Sequence, residues 1–279
     1  MTDVDETAVA RHYALAGLEK RILDAIGRSG LDPDHLAPGD LAPVDELHIG
    51  GRAATAHVAG LMELAPGTRV LDLGCGIGGA ARYLASEWGC RVSGIDLTPE
   101  FVDIARLLTA RTGLADRVDL RIGSVLDLPW PDAHFDAAIS MHVAMNIAGR
   151  PRLYEQAARV IRPGGTLAIY DAMKGPADGM PYPLPWADTP EISFLVTAAG
   201  MRVLLDRAGF DIRHEQSLHE AGTEDLRARI ARAAEAGGPP PLGVHLVQGP
   251  NAGQKARNLL SALDAGQVTP VVFIARRRP

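Results

Sequence analysis

From Arg69 onward, short apolar runs alternate with stretches whose apolar residues return every third or fourth position. The runs Arg69 to Leu73, Arg91 to Ile95, Val118 to Ile122, Phe135 to Ser140 and Thr166 to Tyr170 read as strands. Between them, Gly79 to Trp88, Thr98 to Thr112 and Pro151 to Ile161 read as helices, the last stopped by Pro163-Gly164-Gly165. In the second of these the buried stripe is Phe101, Ile104, Ala105 and Leu108. Thr98 suits an N-cap there, Pro99 the first turn, and Glu100 supplies early negative charge. Apolar strands separated by helices predict a parallel sheet covered on both faces.

The two ends of the chain follow other patterns. Leu15, Leu18, Ile22, Ala25 and Ile26 predict a helix from Glu6 to Arg28, followed by a Pro/Gly/Asp-rich connector from Ser29 to Pro43. A second helix, Arg52 to Glu63, ends before Pro66-Gly67. After the fifth strand, Lys174 to Pro190 is a Pro/Gly/Met-rich loop containing Trp186, too long for a mere connector. A helix Thr197 to Ala208 and a strand Phe210 to Gln216 resume the alternation. Helices near Thr223 to Glu235 and Ala252 to Leu263 flank the run Gly237-Gly238-Pro239-Pro240-Pro241, and a strand Val268 to Ala275 closes the chain. The division expected is an N-terminal helical cap over residues 1–46 and a main domain over 47–279. Within the latter, a loop and helices at about 173–265 surround a substrate pocket.

Of the 279 residues, 47% are apolar and 22% charged, enough for a sizeable core. A formal charge of −6, with no basic cluster except Arg276-Arg277-Arg278, lacks the positive footprint of a nucleic-acid binder. Cys75 and Cys90 form neither a disulfide framework nor a metal spacing. Asp3, Asp5 and Glu6 argue against a signal or transit peptide, and no apolar run reaches the roughly 20 residues that span a bilayer. A cytoplasmic protein acting on a small molecule, without membrane insertion, is expected. The sequence fixes no oligomeric state; a homodimer is compatible with it.

Candidate chemistry begins at RVLDLGCGIGG, residues 69–79. Gly74, Gly76 and Gly79 satisfy G-x-G-x-x-G, which brings a ligand close to backbone amides between a strand and a helix. Asp72 stands two residues before the first of them, where it would repel a dinucleotide's pyrophosphate. It would attract the sulfonium and ammonium of S-adenosylmethionine, by roughly 4 kcal/mol at about 4 Å and an effective dielectric of about 20, before desolvation. Asp96, 20 residues after Gly76, is placed to accept from both ribose hydroxyls. An NAD(P)-dependent oxidoreductase remains the alternative from another class, and capping of loop amides the structural alternative for both acids.

VLDLGCGIGG, GIDLTPEFVDIAR, LPWPDAHFDAAIS and ARVIRPGGTLAIYD together resemble the successive motifs of class I S-adenosylmethionine-dependent methyltransferases. Within that family the motifs resemble those of the ubiquinone/tocopherol-type and sarcosine/dimethylglycine enzymes. The resemblance covers about residues 47–172 well and the remainder only in layout. It implies a seven-stranded, doubly wound, mostly parallel Rossmann-like sheet whose last strand, Val268 to Ala275, pairs back between its neighbours. It also implies N-terminal helices and a helical C-terminal insertion. On this likeness Asp72, Gly74 and Gly76 face the methionine part of the cofactor, Asp96 binds the ribose and Leu97 packs on the adenine. Ser124, Val125 and Leu126 edge the adenine, Ser124 standing where many relatives have an acid. Met141 approaches the cofactor's amino group. S-adenosylhomocysteine is the implied product.

Methyl transfer is a direct displacement, so the protein holds the reacting atoms in line and keeps the nucleophile deprotonated. His142, just past the fourth strand in SMHVAMNI, is the best-placed general base. His48, in DELHIGG, is the second candidate; backbone bracing is the alternative for the first and helix capping for the second. Asn146, Asp171 and Trp186 are candidate substrate contacts. No Asn/Asp-Pro-Pro-aromatic run follows the fourth strand and no Pro-Cys is present, which disfavours nucleobase methylation. The expected reaction is methyl transfer to a small organic acceptor, with a lean to an amine. Carbon methylation of an activated or quinone-like ring is the alternative, and a cofactor binder without catalysis is a further one.

Overall fold

The computed structural model describes Glu6 and residues 17–279. Its sheet comprises β1 (Arg69–Leu73), β2 (Arg91–Asp96), β3 (Val118–Ile122), β4 (Phe135–Met141), β5 (Ile161–Lys174), β6 (Phe210–Ser217) and β7 (Val268–Arg277). They lie in the order β3-β2-β1-β4-β5-β7-β6. β1 to β5 pair in parallel, and β7 runs antiparallel between β5 and β6. The seven-stranded sheet with an inserted antiparallel strand is as the motifs imply. Chain order reverses beside β1, which pairs with β2 on one side and β4 on the other. In such sheets the crevice at the strands' carboxyl ends is where ligands bind.

Helices cover both faces: α1 (Leu18–Arg28), α2 (Ala42–Asp45), α3 (Gly51–Gly60), α4 (Gly79–Glu87), α5 (Pro99–Arg111), α6 (Arg150–Val160), α7 (Ala198–Arg207), α8 (His219–Glu235), α9 (His245–Gln248) and α10 (Ala252–Asp264). Strand alternation divides the core. Leu71, Phe135, Ile169 and Phe273 pack with α6 and α7, while Val70, Val92, Ile139 and Tyr170 pack on the opposite face with α3, α4 and α5. Among the described residues, no helix is long and apolar enough to cross a membrane.

Several expected boundaries move. The part of the predicted helix Glu6 to Arg28 before residue 17, Glu6 apart, lies outside the described residues. The helix expected to reach Glu63 ends at Gly60. Thr98 precedes α5 in the N-cap position but forms no side-chain cap. β5 starts at Ile161 and runs to Lys174, because β7 is long enough to pair with it from Thr166 to Lys174. The four-residue α9, holding His245, is not foreshadowed by any periodicity.

One packing contact fixes the α2–α3 segment over the sheet. Gly79 opens α4, and a Cβ there would lie 2.4 Å from the carbonyl oxygen of Asp45, so only glycine allows this approach. One turn on, the buried Arg82 donates from Nη2 to Asp45 Oδ2 at 2.7 Å and to the Ile77 carbonyl at 2.8 Å. Its Nη1 reaches the Ala105 carbonyl at 3.3 Å. Burial still pushes Asp45 up to about 6, against the pull of the guanidinium. Removing the cation strands a buried carboxyl, so Arg82→Ala should cost about 3–5 kcal/mol of stability. Urea denaturation checks this, and a loss below about 1 kcal/mol, the range of a surface pair, would show the contact to be incidental.

Candidate active site

A cavity opens at the carboxyl ends of β1, β2 and β4, roofed by the 45–50 segment and by α8 to α10. Of the residues singled out from sequence, Asp72, Gly74, Gly76, Asp96, Leu97, Ser124, Val125, Leu126, Met141, His142, Asn146, His48 and Trp186 all line it. Asp171 does not. Tyr170 turns toward the cavity face of β5, so alternation sends Asp171 to the other face, where it is buried near Arg150 and receives backbone amides of Ala144, Met145 and Ala172. Burial pushes its carboxyl up to about 7 despite the Arg150 charge.

The glycine loop is shaped to leave room. Gly74 has φ +75°, and a Cβ there would meet Val143 at 2.6 Å. The amides of Gly74 and Cys75 both donate to the Ile95 carbonyl, at 2.8 and 3.0 Å. Asp96 accepts from the Gly76 amide through Oδ2 and from the Thr98 amide through Oδ1, each at 2.9 Å. Amide capping is therefore part of what Asp96 does; each oxygen retains a lone pair for a further donor. Ser124 bonds through its hydroxyl to the Glu6 carboxylate and accepts from the Leu126 amide at 3.1 Å.

Negative charge accumulates on the floor. Burial, then the charges of Asp96 and Glu46, push Asp72 up to about 7, against the Ala81 amide and Arg82. Burial likewise raises Asp96. Asp72 Oδ2 and Glu46 Oε1 are buried with no hydrogen-bond partner. Asp45 Oδ1, also on the lining, is a third; such oxygens in one cavity suit a cation, and a sulfonium with an ammonium fits them where a pyrophosphate does not.

Glu46 was not among the sequence candidates. It stands two residues before His48 in DELHIGG, a spacing that puts both side chains on one side of an extended segment. Glu46 Oε2 lies 2.9 Å from His48 Nε2 and accepts from Thr55 Oγ1 at 2.6 Å. Burial acts to raise its carboxyl, but the His48 and Thr55 bonds and nearby cations outweigh it and hold the group low. His48 Nδ1 faces the Ile49 carbonyl at 3.3 Å, so both ring nitrogens are engaged with oxygen. His142 differs. Its Nε2 is buried without a partner, and burial, then the neighbouring His48, holds the ring well below its ordinary value. The ring stands 4.8 Å from Tyr170 and 5.9 Å from His48. Its backbone is left-handed, φ +55°, with the amide donating to the Tyr170 carbonyl at 2.7 Å. Backbone strain of about 1–3 kcal/mol at a non-glycine residue persists where surroundings over-determine it, often at functional sites.

The far half of the cavity comes from α8, α9 and α10, whose lining residues (Asp225, Leu226, Arg229, Val247 and Leu259) carry no motif. Trp186 joins them with its Nε1 turned to Ser193 Oγ at 3.0 Å. Asn146 sits in a single turn, Ala144–Asn146, its Nδ2 donating to the Val143 carbonyl at 3.4 Å.

Comparison with known proteins bears on this site directly. A methyltransferase-domain family matches residues 71–169, from the acid-glycine strand to β5. The O-methyltransferase cnsE of Penicillium expansum is 30% identical over 210 residues, covering 65% of this chain and 76% of its own length. The glycine/sarcosine/dimethylglycine N-methyltransferase of Actinopolyspora halophila is 34% identical over 131 residues, 47% of this chain and 23% of that protein. Among solved structures, that of the [4+2]-cyclase SpnF superposes with TM-score 0.65 at 25% identity, covering 81% of each chain. The chain covers only 23–48% of the length of the first curated relatives it matches. With the sheet order and the acid-glycine loop, these matches place the chain in the S-adenosylmethionine-dependent methyltransferase family. The cofactor of that family is S-adenosylmethionine, and the nicotinamide reading of the glycine loop gives way to it.

A cationic ligand requires Asp72 as carboxylate, while the free site holds it half-protonated at about pH 7. Binding S-adenosylmethionine should therefore release a proton. Affinity should rise with pH by up to about tenfold per unit below that value and level off above it. Calorimetry from about pH 6 to about pH 8 measures the slope. A flat wild-type profile, or an equal slope in Asp72→Asn, would assign the proton elsewhere.

Proposed function

We propose that the protein transfers a methyl group from S-adenosylmethionine to a small organic acceptor whose nucleophile carries a proton, preferentially an amine. The observation that carries this reading is the unpartnered Nε2 of His142, buried in the cavity at the end of β4. The floor supports it: Asp72 and Glu46 offer partnerless oxygens for the cofactor's cationic groups, and the open glycine loop leaves space beside them. When bound, the cofactor would supply an electrophilic methyl on sulfur, with S-adenosylhomocysteine as the product.

The chain's own residues do the rest. Gly74, Gly76 and Asp96 hold the nucleoside and methionine portions, with Leu97, Ser124, Val125, Leu126 and Met141 around them. The 45–50 segment and α8 to α10 exclude water. His142 takes the acceptor's proton: burial keeps the ring neutral in the free cavity, and its partnerless Nε2 is open to accept. His48, engaged by Glu46 and Ile49, orients rather than accepts. Asn146 and Trp186 contact the acceptor. Asp171, lying off the cavity, supports the Ala144–Asn146 turn from beneath through its backbone bonds.

His142→Gln should bind S-adenosylhomocysteine normally and turn over about 10²–10⁴-fold more slowly, with the deficit shrinking at high pH as the acceptor deprotonates unaided. Because burial depresses His142, the wild-type rate should show no acid limb at the ordinary histidine value of about 6.5. The measurement is the pH–rate profile of both proteins at saturating cofactor, following S-adenosylhomocysteine release. Near-wild-type rates for the variant would remove His142 from the chemistry. A constant deficit with no high-pH rescue would instead favour carbon methylation, in which no proton need leave before attack.

A further inference from the structure

The far half of the cavity, which no motif marks, limits what the acceptor looks like. Its walls are Ile49, Met145, Trp186, Leu226, Val247 and Leu259, all buried and apolar. Trp186 presents only its ring, since its one N–H is spent on Ser193. Lys255, the buried cation of α10, is turned away to Asp188 at 3.1 Å and the Gln248 carbonyl at 3.4 Å, outside the lining. Into this wall α8 places a carboxylate, Asp225, half-buried and close enough to Tyr170 that its charge, after burial, helps hold that phenol above its ordinary value. Tyr170 in turn packs against the rings of His142 and His48. Arg229, one turn along α8, reaches Asp225 only at 3.8 Å and is the one lining cation among the described residues. Against it stand Asp225, Glu46, Asp72 and Asp96, so the cavity as a whole favours positive ligands.

We propose that the acceptor is an amine carried on an apolar, ring-sized body: the body fills the chamber between Trp186, Leu226 and Leu259, and the protonated amine is drawn in by Asp225 before it reaches His142. A zwitterionic amino acid or a phosphorylated amine meets a single lining cation, Arg229, outnumbered by the carboxylates around it, so its anionic end is disfavoured. This inference rests on the methyltransferase reading above and assigns Asp225 as the residue that selects the acceptor's charge.

Binding, not turnover, tests it. The protein saturated with S-adenosylhomocysteine is titrated by calorimetry with aminoindane, indanol, indane carboxylate and sarcosine. Aminoindane should bind at least about tenfold more tightly than each of the others. Asp225→Asn, at a partly exposed position that tolerates the change, should bring aminoindane to within about threefold of indanol without altering S-adenosylhomocysteine affinity. Leu226→Ala should weaken aminoindane and indanol together. Sarcosine binding more tightly than aminoindane, or Asp225→Asn retaining the full preference for the amine, overturns the proposal. Loss of S-adenosylhomocysteine binding in wild type would instead overturn the methyltransferase reading, so the two failures are distinct.

Discussion

The ion pair between Arg82 and Asp45 is the contact on which the rest of the site depends. It sets a buried cation beside a floor of carboxylates, and it ties α4 to the segment carrying Glu46 and His48. It offsets the repulsion among Asp72, Asp96 and Glu46 that bringing the segment over the glycine loop creates. The pair therefore sets both the roof's position and the sign of the site: enough positive charge to fold, too little to neutralise the floor. What remains uncompensated is what a cationic cofactor would satisfy on binding.

Much of this was legible from the chain because parallel strands announce themselves. The apolar runs at Val70 to Leu73 and Phe135 to Ile139 sit close to where periodicity puts them, and the acids Asp72 and Asp96 fall at strand ends. The final strand's antiparallel insertion was legible only through resemblance, because strand direction leaves no trace in a run such as VTPVVFIA. Periodicity also located Trp186 in a loop without saying that its ring would face a ligand chamber.

Two side chains show where one-dimensional reading stops. Asp171 follows Tyr170 directly, and nothing in TLAIYD says which faces the crevice. The pleat decides: Tyr170 packs behind His48 and His142, while Asp171 lies on the other face near Arg150. Asp225 lies in a helix whose polar and apolar residues suggest an ordinary amphipathic surface. It reaches the cavity because α8 packs on β7 and α10, a long-range arrangement that no local pattern encodes. Glu46 lay between these cases: its spacing from His48 was visible, but only the fold shows Thr55 closing the triangle.

With His142 as the proposed base, its left-handed backbone sets stability against activity at a single residue. Glycine would adopt φ +55° with less strain and would remove an unpartnered buried nitrogen. A chain selected for robustness alone would drift toward such a residue and become a sturdier binder of its nucleoside. On the proposal that His142 is the base, an imidazole there is a standing thermodynamic concession, recovered only when an acceptor occupies the chamber.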